Sequence, residues 1–198
     1  MSYTVTQESF ESLASYQDNP ECRLEWSSVF VLPVWLKVWW QEFKPEGELF
    51  LGAVRNDKGI IGIAPLLIKE GRASLLGSTD VCDYFDFVIT PGAERDFFDV
   101  LLDELRQKDI THLDMKSLRP DSSVLTWLVD IARNRGYDVI CQPEDVTVEL
   151  DLPSTWEEYL AILAKKQRHE VRRKLRRLPE AGKVDFHIVE DSAGIQKA

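Results

Sequence analysis

The chain has 198 residues, 44% hydrophobic and 29% charged, with six Trp, nine Phe and a formal net charge of −10. That is room for one ordinary domain with an appendage, in the composition of a globular protein. No apolar run reaches the roughly 18–20 residues that cross a bilayer. The start MSYTVTQESFESL has neither a basic beginning nor an apolar signal core, so no signal peptide is expected, and an acidic body lacks the extended cationic face of a general nucleic-acid binder.

Ser2 to Gln7 alternates Tyr3 and Val5 with polar residues, which predicts a strand. FESLASY is a short helical candidate. VFVLPVWLKVWWQEF predicts a helix starting near Pro33, because proline suits a first helical turn. Trp35, Trp39 and Phe43 share one face of it, as core packing or, for Trp35, as a substrate-facing aromatic.

Leu49 to Arg55 and Ile60 to Lys69 form a hairpin around Asn56-Asp57-Lys58-Gly59. Pro65 cannot donate to a ladder, which implies a bulge or an edge. After ASLLG comes the loop STDVCDYF, then the strand DFVIT. Ala93 to Lys108 is an amphipathic helix with Phe97, Leu101 and Leu105 in line.

Thr111 to Lys116 reads as a strand, SSVLTWLVDIARNRG as a helix stopped by Gly136, and YDVICQ and VTVELDL as two more strands. A long helix is expected from Thr155 to Leu178, then a strand VDFHIV and the opening of a further helix. This order predicts an α/β fold, a mixed sheet flanked by helices.

The charge is unevenly placed. Residues 165–177, KKQRHEVRRKLRR, hold eight basic side chains and one acidic. Leu160, Leu163, Ala164, Val171, Leu175 and Leu178 form an apolar stripe there, and Arg168, Arg172 and Arg176 recur at i, i+4 and i+8 beside it. Such guanidinium spacing can hold a phosphate, or simply present a solvated face.

Cys22, Cys82 and Cys141 form no C-x-x-C pair and read as buried or half-buried free thiols. His112, His169 and His187 form no metal or triad spacing, so no metal is expected. Asp80, Asp83, Tyr84 and Asp86 cluster in STDVCDYFDF, either as a solvated acidic turn or as site residues carried on a loop.

The end of the chain echoes its start. Tyr3-x-Val5 then Gln-Glu-Ser parallels Phe186-x-Ile188 then Val-Glu-Asp-Ser. The expected organisation is a domain over 1–152, a basic inter-domain helix over 153–182, and from 183–198 the truncated start of a second, similar domain.

The motifs VFVLPVWLKVWWQEF, IIGIAPLLIK, SLLGSTDVCDYFDF, SLRPDSS and WEEYLAILAKKQRHEVRRKLRRLPEAGKVDFHIVED, in this order, resemble the N-terminal half of a double-domain GNAT-fold acyltransferase. The group is the CelD/BcsL-like cellulose-biosynthesis acetyltransferases, similar in architecture to the FemAB/FemX peptidyltransferases. The resemblance implies a GNAT-like, mostly antiparallel sheet. It also implies that a second GNAT-like domain binds acetyl-CoA or another acyl-CoA, with the acceptor between the domains.

The donor motif of such domains, Q/R-x-x-G-x-G/A at a strand-to-helix turn, is missing: GIIGIA lies within a hairpin strand, and VITPGAERD lacks the pattern. This half is therefore expected to be inactive alone and to serve the acceptor side of an N-acyltransferase in the cytoplasm. The acceptor would be an amine or hydroxyl of a small molecule, polysaccharide or cell-envelope component.

The resemblance makes Asp83 and Tyr84 the candidate catalytic residues, since acyl transfer needs a route for the nucleophile's proton. Asp80, Asp86, Trp35, Arg168, Arg172 and Arg173 are the candidate substrate contacts, and tRNA is a possible partner by the Fem-like analogy. The rival reading is a non-catalytic module whose basic helix docks RNA or an acidic partner.

Overall fold

The computed structural model describes residues 2–146, 148–185 and 188–189. The chain divides into two compact units, Met1–Val146 and Thr147–Ala198.

The first unit is a mixed sheet flanked by helices, as the element order predicts, and it is mostly antiparallel, as the resemblance implies. Strands β1 (Thr4–Gln7), β2 (Glu48–Asn56), β3 (Gly59–Lys69), β4 (Arg72–Leu75) and β6 (His112–Asp114) lie side by side in that order. β5 (Val88–Ile89) pairs with β3, and only the β4–β6 pair is parallel.

The β2–β3 hairpin closes at Asn56-Asp57-Lys58-Gly59. The side chain of Asn56 accepts from the Lys58 N–H (2.8 Å), and Gly59 takes φ +130° in the turn. The register slips between Val54 and Arg55, a bulge on the β3 side.

Helix α1 (Phe10–Asp18) is capped by Ser9, whose hydroxyl accepts from Ser12 N–H. Helix α2 (Pro33–Phe43) starts on Pro33 and stops at Lys44, which takes the left-handed conformation. Trp39 is buried in α2 and stacks on the exposed Phe43 at 5.5 Å, while Trp35 is half-buried, so of that aromatic face only Trp39 is fully in the core.

Helix α3 (Glu94–Gln107) buries Phe97, Phe98, Leu101, Leu102 and Leu105, the stripe read from its spacing. Phe87, the residue just before β5, meets Phe97 and Phe98 edge-on at 5.6 and 5.2 Å. After β6, a π-turn over Val124–Leu128 runs into α4 (Val129–Asn134). Gly136 follows at φ +82°.

Pro65 sits inside the sheet, where its missing N–H is harmless. The Leu51 carbonyl opposite it turns away and accepts from Glu8 N–H, so Pro65 and Leu51 form a pair without mutual hydrogen bonds. The nitrogen of Pro65 therefore faces the other flank of β3. There β5 pairs with residues 62–63 and β4 with residues 66–69, leaving positions 64 and 65 without a strand. The chain makes its excursion from Leu76 to Phe87 at this gap, and the Pro65 carbonyl holds the start of it through Leu76 N–H (2.9 Å).

Three expectations are corrected. Tyr137–Gln142 and the described residues of 146–152 form no strands, and Ile140, Val146 and Val148 are more than four-fifths exposed. Alternation fits a pleated surface but becomes a strand only beside an edge that pairs with it and buries one face, and none does so among the described residues.

The long helix is broken into α5 (Trp156–Ile162) and α6 (Lys165–Arg177). Leu163 and Ala164 are extended between them, and Gln167 accepts from Ala164 N–H to start the second helix. Cys22 is half-buried and Cys82 buried, but Cys141 is exposed, in a segment that pairs with no strand among the described residues. The expected strand at VDFHIV falls partly on Phe186 and His187, which lie outside the described residues, as does the helix start after it.

Candidate functional site

The excursion between β4 and β5 is pinned at several points. Cys82 and Val81 donate their N–H groups to the Ser78 carbonyl, forming a tight turn. The side chains of Cys82, Phe85 and Phe87 are buried, and Phe85 N–H donates to the Ser117 carbonyl at 3.1 Å. With these pointing inward, Asp83 is left exposed while Tyr84 and Asp86 are half-buried. Ser28 fixes the backbone at Tyr84, donating its hydroxyl to the Tyr84 carbonyl at 2.9 Å.

An aromatic corner forms around this loop. Trp35 donates its indole N–H to Cys82 Sγ (3.4 Å) and meets Phe30 edge-on at 5.2 Å. Phe30 meets the Tyr84 ring at 6.2 Å. Arg119, from the segment after β6, lies over the Tyr84 ring at 5.4 Å, a cation–π contact. Asp121 accepts from Arg119 Nε and Nη2 at 2.9 and 3.3 Å. Those bonds from Arg119 hold the Asp121 carboxyl below its ordinary range.

The structure thus brings Trp35 and Tyr84 into one neighbourhood through Phe30. Asp80 and Asp83 lie on the same loop, both exposed, with no hydrogen bond or ion pair among the described residues. Arg119 and Phe30 complete the corner. Sequence reading did not single them out, because isolated Arg and Phe carry no spacing signal.

Asp86 does something else. Its carboxylate accepts from Ser123 N–H (2.9 Å), from the Ser123 hydroxyl, and from Phe87 N–H (2.8 Å). Ser123 opens the helical run that continues through α4, so Asp86 caps that run from 37 residues away. Burial pushes its carboxyl up from the ordinary value, partly offset by the bonds from Ser123 and Phe87. The expected substrate contact is, in this geometry, occupied in holding the loop to the helix.

The arginines of α6 belong to the second unit. Arg172 pairs with Glu157 of α5 at 2.6 Å, Arg173 binds Glu170 through two hydrogen bonds, and Arg168 donates to the Leu163 carbonyl. Phosphate-gripping is thus not their only available role: within this unit Arg168, Arg172 and Arg173 each have a protein acceptor.

The turn into α3 does not fit the pyrophosphate of coenzyme A. Ala93 N–H donates to the Thr90 carbonyl and Gly92 N–H to the Glu94 carboxylate, and Glu94 and Asp96 place two negative charges in the first turn. A phosphate needs free N–H groups and no neighbouring carboxylate. Among the described residues no group of three or more His, Cys, Asp or Glu is arranged to hold a metal ion. No described helix is long and apolar enough to cross a membrane.

No protein-family model matches the chain, and no curated protein matches it. Among solved structures, the ribosomal-protein-S18-alanine N-acetyltransferase from Escherichia coli is similar over 68% of this chain and 77% of that one, with 13% identity and a TM-score of 0.42.

Proposed function

We propose that this chain is the acceptor-side part of a CelD/BcsL-like N-acyltransferase, moving an acyl group from an acyl-CoA to an amine or hydroxyl. The observation that carries the reading is the interruption of the sheet opposite Pro65. It presents Asp83 and Tyr84 on a braced loop beside Trp35 and Phe30. Asp83 is the group to take the proton from the attacking amine, and Tyr84 the group to return one to the departing thiolate. The aromatic corner positions the acceptor.

In this reading the acyl-CoA is held by a second GNAT-like domain and not by residues 1–198. The carboxylates at the start of α3 and the occupied amides there support that division. The small-molecule or cell-envelope character of the acceptor rests on the family resemblance.

The test is acetyl transfer by the protein expressed from its whole reading frame, beside calorimetry of residues 1–198 with acetyl-CoA. Transfer to amines, read as released thiol, is expected of the first, and no saturable binding of the second. Saturable binding by 1–198, or an absence of transfer with any amine or hydroxyl acceptor, overturns the reading.

A further inference from the structure

Helix α6 is the most charged element of the chain, and none of its side chains is buried. Val171, Leu175 and Leu178 fall at i, i+4 and i+7, one stripe along the helix. Leu175 is 49% and Leu178 47% exposed. At 100° per residue, Arg168 and Arg172 border the stripe on one side and Lys174 on the other.

The apolar surface continues past the helix into a shallow hollow formed by Leu175, Leu178, Pro179, Gly182, Lys183 and Val184. Lys165, Lys166 and Arg176 make no ion pair among the described residues. The pairs of Arg172, Arg173 and Lys174 with Glu157 and Glu170 are exposed and exchange readily for another anion.

We propose that α6 is an interfacial helix that docks this protein on an anionic lipid surface. An apolar stripe edged on both sides by long cationic side chains matches such a surface in two respects at once. The Val and Leu side chains enter the acyl boundary, while Lys and Arg reach the headgroups along their flexible stems. RNA complements the charge, and His169 and the guanidinium planes offer a base a surface to stack on, but a stripe of Val and Leu has no counterpart on a phosphate backbone. The concentration of eight cations in thirteen residues of a chain with net charge −10 confines the attraction to this helix. The docking surface is independent of the acyl-transfer reading.

The experiment is co-sedimentation of the full 198-residue chain with phosphatidylcholine vesicles, with and without phosphatidylglycerol, at low and high salt. Binding to the anionic vesicles and not to the neutral ones is expected, falling as salt screens the headgroups. The double change Leu175→Gln with Leu178→Gln is expected to weaken it about tenfold or more, from the lost apolar transfer. Both positions are half exposed, so the thermal unfolding of the variant stays that of the parent.

Three results overturn the proposal. One is equal binding, or none, to both vesicle types. Another is binding to anionic vesicles unchanged by the leucine substitutions. The third is tighter binding to a short RNA than to anionic vesicles at the same salt.

Discussion

Asp86 and Ser123, 37 residues apart, share two hydrogen bonds: the Ser123 N–H and hydroxyl both donate to the Asp86 carboxylate. The bonds join the loop that carries Asp83 and Tyr84 to the start of the run leading into α4. Asp86→Ala leaves Ser123 N–H and Phe87 N–H without their acceptor. It is expected to cost about 1–2 kcal/mol in urea unfolding, the scale of a lost helix cap.

The same carboxylate sets a pH dependence. Burial raises its folded pKa above the ordinary value, which means the native state holds the proton more tightly than the unfolded chain. Its contribution is fully present below about pH 4 and declines as pH rises through the folded value. Asp86→Asn removes that decline, so urea midpoints of the two proteins, measured across the acidic range, diverge over this window and run parallel above it.

Glu8 predicts the opposite sign. Burial raises its carboxyl, but hydrogen bonds from Thr6, Arg55 and Tyr16 outweigh it and the net shift is downward. Its stabilisation is present above about pH 4.3 and is lost as pH falls through the folded value. Arg55 also lies over the Tyr16 ring at 5.3 Å and donates to Tyr16, which donates to Glu8 at 3.0 Å. Removing one member strands the others: Arg55→Ala is expected to cost about 1–3 kcal/mol in urea unfolding near neutral pH.

Gly77 begins the loop at φ +151°, and a Cβ there would lie 2.2 Å from Phe85 Cε1 and 3.2 Å from Cys82 Sγ. Gly77→Ala therefore has both an unfavourable backbone and an overpacked neighbour. A loss of about 2–4 kcal/mol is expected by thermal or urea unfolding, from overpacking and backbone strain together. The buried Phe85 is the side chain that must give way.

Asp83 and Tyr84 give a functional prediction with little effect on the fold. Asp83 is exposed and the Tyr84 hydroxyl has no hydrogen bond among the described residues, so Asp83→Asn and Tyr84→Phe are expected to stay within about 0.5 kcal/mol of the parent. In the acyl-transfer assay each is expected to lower kcat by about 10²-fold or more, the range of a lost acid or base. Unchanged kcat in both variants would remove these two residues from the mechanism.

Periodicity alone determined much of the first unit. The hairpin at Asn56–Gly59, the start of α2 at Pro33 and the buried face of α3 were legible because each is set by local backbone preference or by spacing along one element. The loop carrying Asp80 to Asp86 was legible as a cluster of polar residues between two strands.

Only the tertiary structure decided which of those residues do what. Asp83 and Asp86 look alike in sequence, yet one is exposed and the other is committed to a helix start 37 residues away. Arg119 reaches Tyr84 because β6 runs parallel to β4 and delivers the following segment to the loop. The alternating segments after Gly136 show the limit of pattern. Alternation states which face would be buried, but only a neighbouring edge can bury it, and that neighbour is not encoded in the segment itself.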